Sequence, residues 1–475
     1  PILDKPRVDR LLGDVSVPVA GVTPFNVVMA AGDRVIHNRP DFRFGISMSS
    51  SRIGKFESLN NENTRGWYLG EGMTYIYNST DRSQYVNYFN LVNMQRLPGT
   101  TVDVLARSVL KTSNYGLFGI PVNAQDWTGG ASLNGVYGVA GMHLVSEVGS
   151  LEGRKSWFMF DNEVVALGAG ISMTEERAAE TVVENRNSLK SLYVDGVLKP
   201  STKGWSEALP SPRWISLEGT GGYYFPQPST VNAKRDYNGF TQLYFDHGTS
   251  PENEGYAYVL LPSSTREETE AYAARPEIEV VCNTDNIQAV RETGLRVMGI
   301  NFWQAGQVDD IVCDAPAAVM VREDRGMLYV SLADPTWKQT SVRLSLAGSY
   351  RMTGEDGRVR LEANGDRTDV VFDVTDRMGQ CIEVSLADND YSGLDEGRDD
   401  GPVYVWERGS ATAIVRNMEP GGRVVVYDAR GRLCRVATAV LDELRMDFSG
   451  YGKGVYVIRY CRPDGRSYVW KFVNM

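Results

Sequence analysis

The feature that most constrains the fold of this chain is a rhythm of short apolar segments, each closed by Gly, Asn or Asp. Residues 157–160, 164–167 and 256–261 are examples. Apolar stretches this short, divided by turn-forming residues, are typical of antiparallel sheets. The 48 glycines and 24 tyrosines of the chain also favour sheets over helical bundles. We therefore predict a mainly β protein, with short helices only at 173–180 and 264–274.

The length of 475 residues predicts several domains. We place a connecting segment at 1–25, a large antiparallel β-sandwich at 26–316 and a smaller β-sandwich at 317–386. Residues 387–402 contain six acidic side chains and one arginine, so we predict an acidic, solvated linker there. A C-terminal immunoglobulin-like β domain follows at 403–475.

The charge balance and the hydropathy pattern exclude two classes of protein. The chain has 49 Lys+Arg and 60 Asp+Glu, which gives a net charge of −11, whereas a general nucleic-acid binder needs a broad basic face. No run of about 18 uninterrupted apolar residues occurs, so no membrane span is predicted. The chain starts P-I-L-D-K-P, without an initiator Met or a charged-then-apolar leader, and we expect a processed or trimmed chain.

Histidine and cysteine spacing argues against a metal centre. The chain has three histidines, five cysteines and no C-x-x-C pair, so neither a zinc ribbon nor a His-rich cluster is predicted. Unpaired cysteines pack as small apolar residues. Free thiols and a Cys434–Cys461 disulfide both remain compatible with the spacing.

Segment 49–77 carries the densest polar pattern. It reads S-S-S-R-I-G-K-F-E-S-L-N-N-E-N-T-R-G-W-Y-L-G-E-G-M-T-Y-I-Y, which suits neither a strand nor a helix. One interpretation is a structural loop whose amides cap backbone groups. The other is a carbohydrate site, because amides, carboxylates and arginines can bind sugar hydroxyls, uronates or sulfates beside aromatic rings. The nearby rings are Trp67, Tyr68, Tyr75 and Tyr77.

Five stretches of the chain, in order, carry a resemblance to a known family. They are M-A-A-G-D-R-V-I-H-N-R-P-D-F-R-F-G-I-S-M-S-S-S-R from Met29, E-S-L-N-N-E-N-T-R-G-W-Y-L-G-E-G-M-T-Y from Glu57, R-L-P-G-T-T-V-D from Arg96, K-S-W-F-M-F-D-N-E-V-V-A-L-G-A-G-I from Lys155, and H-G-T-S-P from His247 with Y-A-Y-V-L-L-P after it. They resemble polysaccharide lyase family 8, the hyaluronate, chondroitin AC and xanthan lyases. The strands at 319–386 resemble the C-terminal sheet domain of that family.

The resemblance implies an N-terminal α/α toroid followed by a large antiparallel β-sandwich, with a polysaccharide in the cleft between them. It implies β-elimination on uronic-acid glycans, which yields 4,5-unsaturated uronides. A Tyr–His pair then serves as acid and base, and an amide or cation neutralises the uronate carboxylate. In the family these groups and an essential Arg lie on the helical domain, which this chain does not contain. We therefore expect the chain to be inactive by itself, and we interpret His37 and His247 as structural.

The resemblance also assigns site residues. By position in E-S-L-N, Glu57 corresponds to the acidic residue that hydrogen-bonds the catalytic Arg, and Asn60 corresponds to an amide that contacts substrate. Arg52, Asn63 and Trp67 are further candidates for the substrate face. The structural alternatives are an ordinary ion pair for Glu57, a turn cap for Asn60 and a core position for Trp67.

The resemblance implies no redox cofactor. Some members carry calcium near the segment before L-P-G-T-T, where this chain reads Asn90-Leu91-Val92-Asn93 without acidic ligands. Calcium needs several carboxylate or carbonyl oxygens, so no metal ligands are predicted.

Three functions are compatible with these residues. The first is the β-sheet portion of a secreted lyase acting on chondroitin sulfate or hyaluronan, with the absent toroid as its partner. The second is a non-catalytic glycan-binding β-sandwich protein, and the third is an adhesin-like structural sandwich. We favour the lyase because a binder has no need to orient a catalytic arginine. The pattern V-V-V-Y-D-A-R-G-R-L near the C-terminus resembles the sorting domain of type IX secretion substrates, which implies a secreted, periplasmic or cell-surface protein.

Overall fold

The computed structural model is nearly all β. It describes residues 6, 10, 22–58, 62–78, 81, 84–110, 121–324, 326–354, 356–389, 403–407, 411–416, 418–419, 421–438, 443–462 and 467–474. Within these ranges from residue 22 onward, the helices are a 3-10 turn, Ala30–Gly32, and two short α-helices, α1 (Tyr88–Leu91) and α2 (Arg266–Ala274). The predicted mainly β fold is confirmed, and the described part of the chain holds no α/α toroid.

Thirty-seven strands are described. The strands of the first three sheets are β1 (Phe25–Met29), β2 (Arg34–Asn38), β3 (Phe42–Ser47), β4 (Met73–Asn78), β5 (Thr101–Asp103), β6 (Thr128–Leu133), β7 (Tyr137–Val145), β8 (Glu152–Met159), β9 (Val164–Ser172), β10 (Ala178–Arg186), β11 (Leu192–Val194), β12 (Val197–Leu198), β13 (Ser206–Leu209), β14 (Trp214–Leu217), β15 (Gly221–Tyr224), β16 (Val231–Arg235), β17 (Thr241–Thr249) and β18 (Glu254–Pro262). The next two sheets contain β19 (Ile278–Asn283), β20 (Ile287–Glu292), β21 (Val297–Phe302), β22 (Gly306–Val308), β23 (Ile311–Cys313), β24 (Ala317–Asp324), β25 (Met327–Ala333), β26 (Ser341–Ala347), β27 (Tyr350–Met352), β28 (Val359–Asn364), β29 (Arg367–Asp373) and β30 (Ile382–Asp388). The last two contain β31 (Val403–Glu407), β32 (Thr412–Arg416), β33 (Arg423–Asp428), β34 (Leu433–Thr438), β35 (Glu443–Asp447), β36 (Gly454–Cys461) and β37 (Ser467–Asn474).

A nine-stranded sheet is the centre of the large sandwich. Its order is β12-β11-β14-β15-β18-β9-β8-β7-β6, and it faces a four-stranded sheet, β1-β2-β3-β4, and a five-stranded sheet, β13-β16-β17-β10-β5. Strand β8 shows that both faces of the nine-stranded sheet are covered. Trp157 lies in the core shared with those two sheets, and Phe158 lies in the core on the opposite side. A continuous apolar run of this kind suits a strand that is buried on both faces.

The opposite face of the nine-stranded sheet packs against α2 and a second sandwich. This sandwich consists of a seven-stranded sheet, β19-β20-β21-β24-β25-β30-β27, and a five-stranded sheet, β22-β23-β26-β29-β28. Its own core contains Ile300, Val330, Leu344 and Phe372, all with no exposed surface. The first strand of this sandwich begins at Ile278, and the domain boundaries proposed from the sequence stay a prediction.

The strands after residue 402 belong to a separate compact unit, distinct from Gly21–Tyr391. Two antiparallel sheets, β31-β32-β35 and β34-β33-β36-β37, share one core that includes Val426, Phe448 and Ile458. All five cysteines of the chain are free thiols, so Cys434 and Cys461 are not paired.

The two helix predictions have different outcomes. Helix α2 is confirmed, and its capping box joins Thr265 to Glu268. A helix at 173–180 is wrong, because residues from Ala178 onward form β10, which pairs with β17 and β5. Ala179 and Val183 of β10 are buried between the sheets, and this packing overrides the helix propensity of the segment. Within the described part of the chain, neither α-helix has the length and hydropathy that a membrane crossing requires.

Candidate functional site

The outer face of the four-stranded sheet and the loop between β3 and β4 border a cavity of about 630 Å³, which we call the Glu57 cavity. The sheet contributes Arg34, Arg43 and Tyr77, and the loop contributes Glu57 and Asn63. The cavity therefore combines two guanidinium groups, a carboxylate, an amide and an aromatic ring. These are the groups that recognise sugar hydroxyls and carboxylates.

The alternation in β3 places one of these cations. Phe42, Phe44 and Ile46 point into the core, so Arg43 and Gly45 face outward. Cross-strand pairing sets Arg43 opposite Tyr77. The Arg43 Nε donates a hydrogen bond of 2.8 Å to Asn38 Oδ1, which orients the guanidinium along the sheet.

Glu57 and Asn63 lie together at the rim of the cavity. Both residues are exposed, and the Asn63 side-chain amide donates a 2.8 Å hydrogen bond to the Glu57 carbonyl oxygen. Asn63 has a left-handed backbone, with φ of 47°, a conformation that Asn tolerates better than most residues. Among the described residues, none forms an ion pair with the Glu57 carboxylate, so this group is available to an incoming cation.

A buried ion pair fixes the base of the loop. Lys55 Nζ lies 2.8 Å from Glu71 Oε1, and the two side chains are 1% and 3% exposed. The same ammonium donates a 2.8 Å hydrogen bond to the carbonyl oxygen of Val145 in β7. Burial raises the pKa of Glu71, and Lys55 acts against that shift. The pair joins the two ends of the loop to each other and to the nine-stranded sheet.

Sequence reasoning did not single out Arg34 and Arg43, although both stand in the first stretch of the family resemblance. Arg34 Nη1 donates to the carbonyl oxygens of Asp33 and Met48, at 3.1 and 2.7 Å, and burial lowers its pKa. Period-two alternation in R-F-G-I would have placed Arg43 on the face opposite to its phenylalanine neighbours. Tyr77, named only as a nearby ring, lines the cavity and is 46% exposed.

Arg52 does not line the Glu57 cavity. Its guanidinium donates to the carbonyl oxygens of Asp126, Thr128 and Pro335, at 2.8, 3.1 and 3.2 Å. It also lies 4.5 Å from the ring centroid of Trp337. These partners connect the large sandwich to the second one, and a role of Arg52 in substrate binding stays a prediction.

Trp67 and Asn60 have different positions with respect to the site. Trp67 is 4% exposed and packs in a cluster with Tyr68, Tyr88 and Phe240, which agrees with the core alternative. Asn60 lies outside the described residues, so its predicted contact with substrate stays a prediction.

The three histidines are buried and hydrogen-bonded away from the cavity. His37 Nε2 lies 2.7 Å from the Phe160 carbonyl oxygen, and His247 Nε2 lies 2.8 Å from Thr181 Oγ1. Burial lowers the pKa of His37 and His143 to about 3 and that of His247 to about 4. All three are therefore neutral near pH 7, and none lines the Glu57 cavity.

One group of carboxylates lies close enough together to hold a cation. Oxygens of Glu163, Glu277 and Glu292 lie within 4.8 Å of one another. Glu163 and Glu292 are 3% and 1% exposed, and burial raises the pKa of each to about 7. The group joins the turn after β8, the segment after α2 and the end of β20, and none of its members lines the Glu57 cavity.

Residues 24–273, which contain the large sandwich and the Glu57 cavity, match the super-sandwich domain of polysaccharide lyase family 8. The chain belongs to polysaccharide lyase family 8. Residues 279–343 match the C-terminal β-sandwich domain of the same family. The family resemblance read from the sequence is thus confirmed.

Curated members of polysaccharide lyase family 8 are similar to this chain over most of its length. Xanthan lyase of Bacillus sp. (strain GL1) is 33% identical over 443 residues, 86% of this chain and 46% of the relative. Hyaluronate lyase of Thermasporomyces composti is 32% identical over 81% of this chain and 51% of the relative. Chondroitinase-AC of Pedobacter heparinus is 30% identical over 72% and 50%. The chain thus spans about half the length of the curated relatives it matches.

Solved structures of the family have the same fold. The structure of Paenibacillus xanthan lyase aligns with a TM-score of 0.75 at 28% identity, over 98% of this chain and 53% of that one. Streptomyces coelicolor A3 chondroitin AC lyase, in complex with chondroitin sulphate, aligns with a TM-score of 0.70 at 29% identity, over 82% and 53%.

Proposed function

We propose that this chain is the β-sheet portion of a secreted polysaccharide lyase, which cleaves chondroitin sulfate or hyaluronan by β-elimination when joined to an α/α toroid. The position of the Glu57 carboxylate is the observation that supports this proposal. In a chain that belongs to polysaccharide lyase family 8, this carboxylate is exposed at the rim of a cavity and has no ion-pair partner among the described residues.

The chemistry assigns Glu57 an orienting role. In β-elimination, a base removes the C5 proton of the uronate and the C4–O bond breaks. The electron pair of the C–H bond then forms the C4=C5 double bond, and an acid donates a proton to the leaving oxygen. The C5 proton is acidic only when the neighbouring carboxylate is neutralised, and an arginine of the toroid held by Glu57 would stabilise the developing charge.

The acid and the base are assigned to the toroid. The described Glu57 cavity contains no histidine, and a neutral, buried imidazole elsewhere in the fold cannot reach a glycan held there. Glu57 is therefore a positioning residue in this proposal. Asn60 and Asn63 are proposed to contact the sugar.

The test is reconstitution. The chain is assayed alone and fused to a family α/α toroid, with hyaluronan, chondroitin sulfate and xanthan as separate substrates. Ultraviolet absorbance of the unsaturated uronide reports turnover. We expect turnover only with the toroid. A fused, well-folded protein that binds glycan and produces no unsaturated product would instead favour the non-catalytic glycan-binding protein.

The proposed location is outside the cytoplasm, in the periplasm, at the cell surface or in the medium. It is supported by the resemblance of the last β domain to a secretion-sorting domain. Deleting residues 403–475 should then retain the protein inside a host that has type IX secretion, as measured by cell fractionation.

A further inference from the structure

Two further cavities lie beside the Glu57 cavity, at the turn between β2 and β3. A second cavity of about 400 Å³ shares Arg43 and Tyr77 with it. A third cavity, also of about 400 Å³, shares the turn residues Arg39–Phe42 with the second. We call the third cavity the distal pocket; its polar lining includes Arg39, Asp41, Asp161, Glu268 and Tyr272. Because each cavity shares lining residues with the next, we treat the three together as one groove.

Arg39 is a buried, hydrogen-bonded arginine that lines the distal pocket. Its side chain is 4% exposed. Its Nε and Nη2 donate to the carbonyl oxygens of Phe160 and Val136, at 3.2 and 2.6 Å, and Nη2 lies 3.2 Å from Asp161. Nη1 makes no hydrogen bond with any described residue. An unpaired buried donor is costly, so a shift of this side chain that lets Nη1 reach a ligand hydroxyl in the pocket would be favourable.

Charge changes sign along the groove. In the Glu57 cavity, Arg34 and Arg43 outnumber Glu57, because Lys55 is already paired with Glu71. In the distal pocket three carboxylates, Asp41, Asp161 and Glu268, stand against one guanidinium. A uronate or sulfate is therefore attracted to the first cavity and repelled from the distal pocket.

Tyr77 lies between the Glu57 cavity and the distal pocket. It lines both the Glu57 cavity and the middle cavity, is 46% exposed, and its ring lies 4.7 Å from that of Tyr85. Packing against Tyr85 holds the ring in place while leaving one side open. A fixed, half-exposed ring offers apolar surface to a sugar while its hydroxyl stays in water.

We propose that this groove is an extended glycan-binding site whose distal pocket accepts an uncharged, unsulfated sugar while a uronate occupies the Glu57 cavity. The inference rests on the proposed function and narrows its substrate class. The preferred glycans are those in which neutral sugars stand next to uronates. Sulfate on the neutral sugar places an anion beside Asp41 and weakens binding.

The experiment uses the 475-residue chain and calorimetric titration with chondroitin oligosaccharides of equal length, with and without sulfate. The unsulfated form should bind about tenfold more tightly. Asp41→Asn should reduce this preference, because it removes one of the repelling charges, whereas the matched change Glu252→Gln, at an exposed turn position, should leave it intact. Tyr77→Ala should weaken both forms, whereas Tyr237→Ala, at a 79% exposed tyrosine outside the groove, should weaken neither.

Three results would overturn the proposal: no binding of either form, equal or tighter binding of the sulfated form, or unchanged affinity in a folded Tyr77→Ala variant. Turnover by the toroid fusion is measured separately. Binding with no turnover rejects the lyase function and still supports glycan binding in the groove. Turnover without the predicted preference rejects the groove alone.

Discussion

Glu57 is an exposed side chain to which we assign a role in chemistry and little role in stability. Its carboxylate has no ion-pair partner among the described residues, while Asn63 holds its backbone carbonyl at 2.8 Å. A carboxylate in such a position contributes little to the free energy of unfolding. Its proposed contribution comes when it holds the guanidinium of a catalytic arginine.

Glu57→Gln in the toroid-fused enzyme keeps the shape of the side chain and removes its charge. Loss of one preorganised group should lower kcat by about 10²–10³-fold, with a smaller change in KM because the carboxylate acts through the arginine. The melting temperature should stay near that of the unmodified protein. Glu62→Gln, at an exposed residue of the same loop, is the matched control. Full kcat in the Glu57 variant would reject the orienting role.

Lys55→Met tests the base of the loop. The change leaves the Glu71 carboxylate buried without its 2.8 Å partner, so unfolding should require about 3–5 kcal/mol less free energy. Chemical denaturation of the 475-residue chain measures this loss. Arg43→Met, at an exposed position of the neighbouring sheet, should cost far less. Equal losses in the two variants would contradict the structural role of the ion pair.

Sequence reasoning located the site only in part. The motif E-S-L-N points to Glu57 because the family pattern is local; the residue lines the cavity, and its role stays a prediction. The carbonyl partners of Arg52 belong to Asp126, Thr128 and Pro335. Folding alone brings these residues close to Arg52, so no local sequence pattern reveals them. By residue type alone, Trp67 could either stack against a sugar or pack in the core. Its burial in the folded chain agrees with the core position.

At the scale of elements, strand periodicity was the dependable guide and acidic composition was not. Runs such as W-F-M-F predicted strands correctly, since residues of alternate sides enter two different cores. The acidic segment at 173–180 suggested a helix, yet its last residues pair with β17 and β5. A strand can contain buried carboxylates when cations pair with them. In β10, Glu180 Oε1 lies 2.6 Å from Arg96 Nη2.

The carboxylates at the junction of β8, α2 and β20 should make stability depend on pH. Burial raises the pKa of Glu163 from 4.5 to about 7, so the folded state holds more protons than the unfolded state between these values. The free energy of unfolding should therefore fall as pH rises through this window, by about 3 kcal/mol for one group. Glu163→Gln should flatten the dependence and raise stability at pH 8, as measured by urea denaturation. An unchanged slope relative to Glu252→Gln would contradict this.

At the scale of the whole molecule, the sheets of Gly21–Tyr391 pack face to face, and the described lining of the Glu57 cavity includes no histidine. The three histidines are buried, and burial lowers the pKa of each to about 3 or 4. Family membership followed from five spaced motifs, but the glycan did not, because subsites arise from turns and strands far apart in the chain.

The 475-residue chain alone should therefore release no unsaturated product from hyaluronan or chondroitin sulfate. Ultraviolet absorbance at high protein concentration is the measurement, and the toroid fusion is the positive control. Turnover by the chain alone would mean that the sheet domains supply their own acid and base.

The two-sided burial of the nine-stranded sheet has a consequence for how this protein can be cut and expressed. The family's two sheet domains meet near residue 277, which invites truncation there. Phe158, Val165 and Leu167 would then lose Val290 and Val297, their packing partners from the second sandwich, and would form an apolar patch on the surface. Such a fragment should aggregate on expression, so the smallest soluble unit of this protein includes both sandwiches.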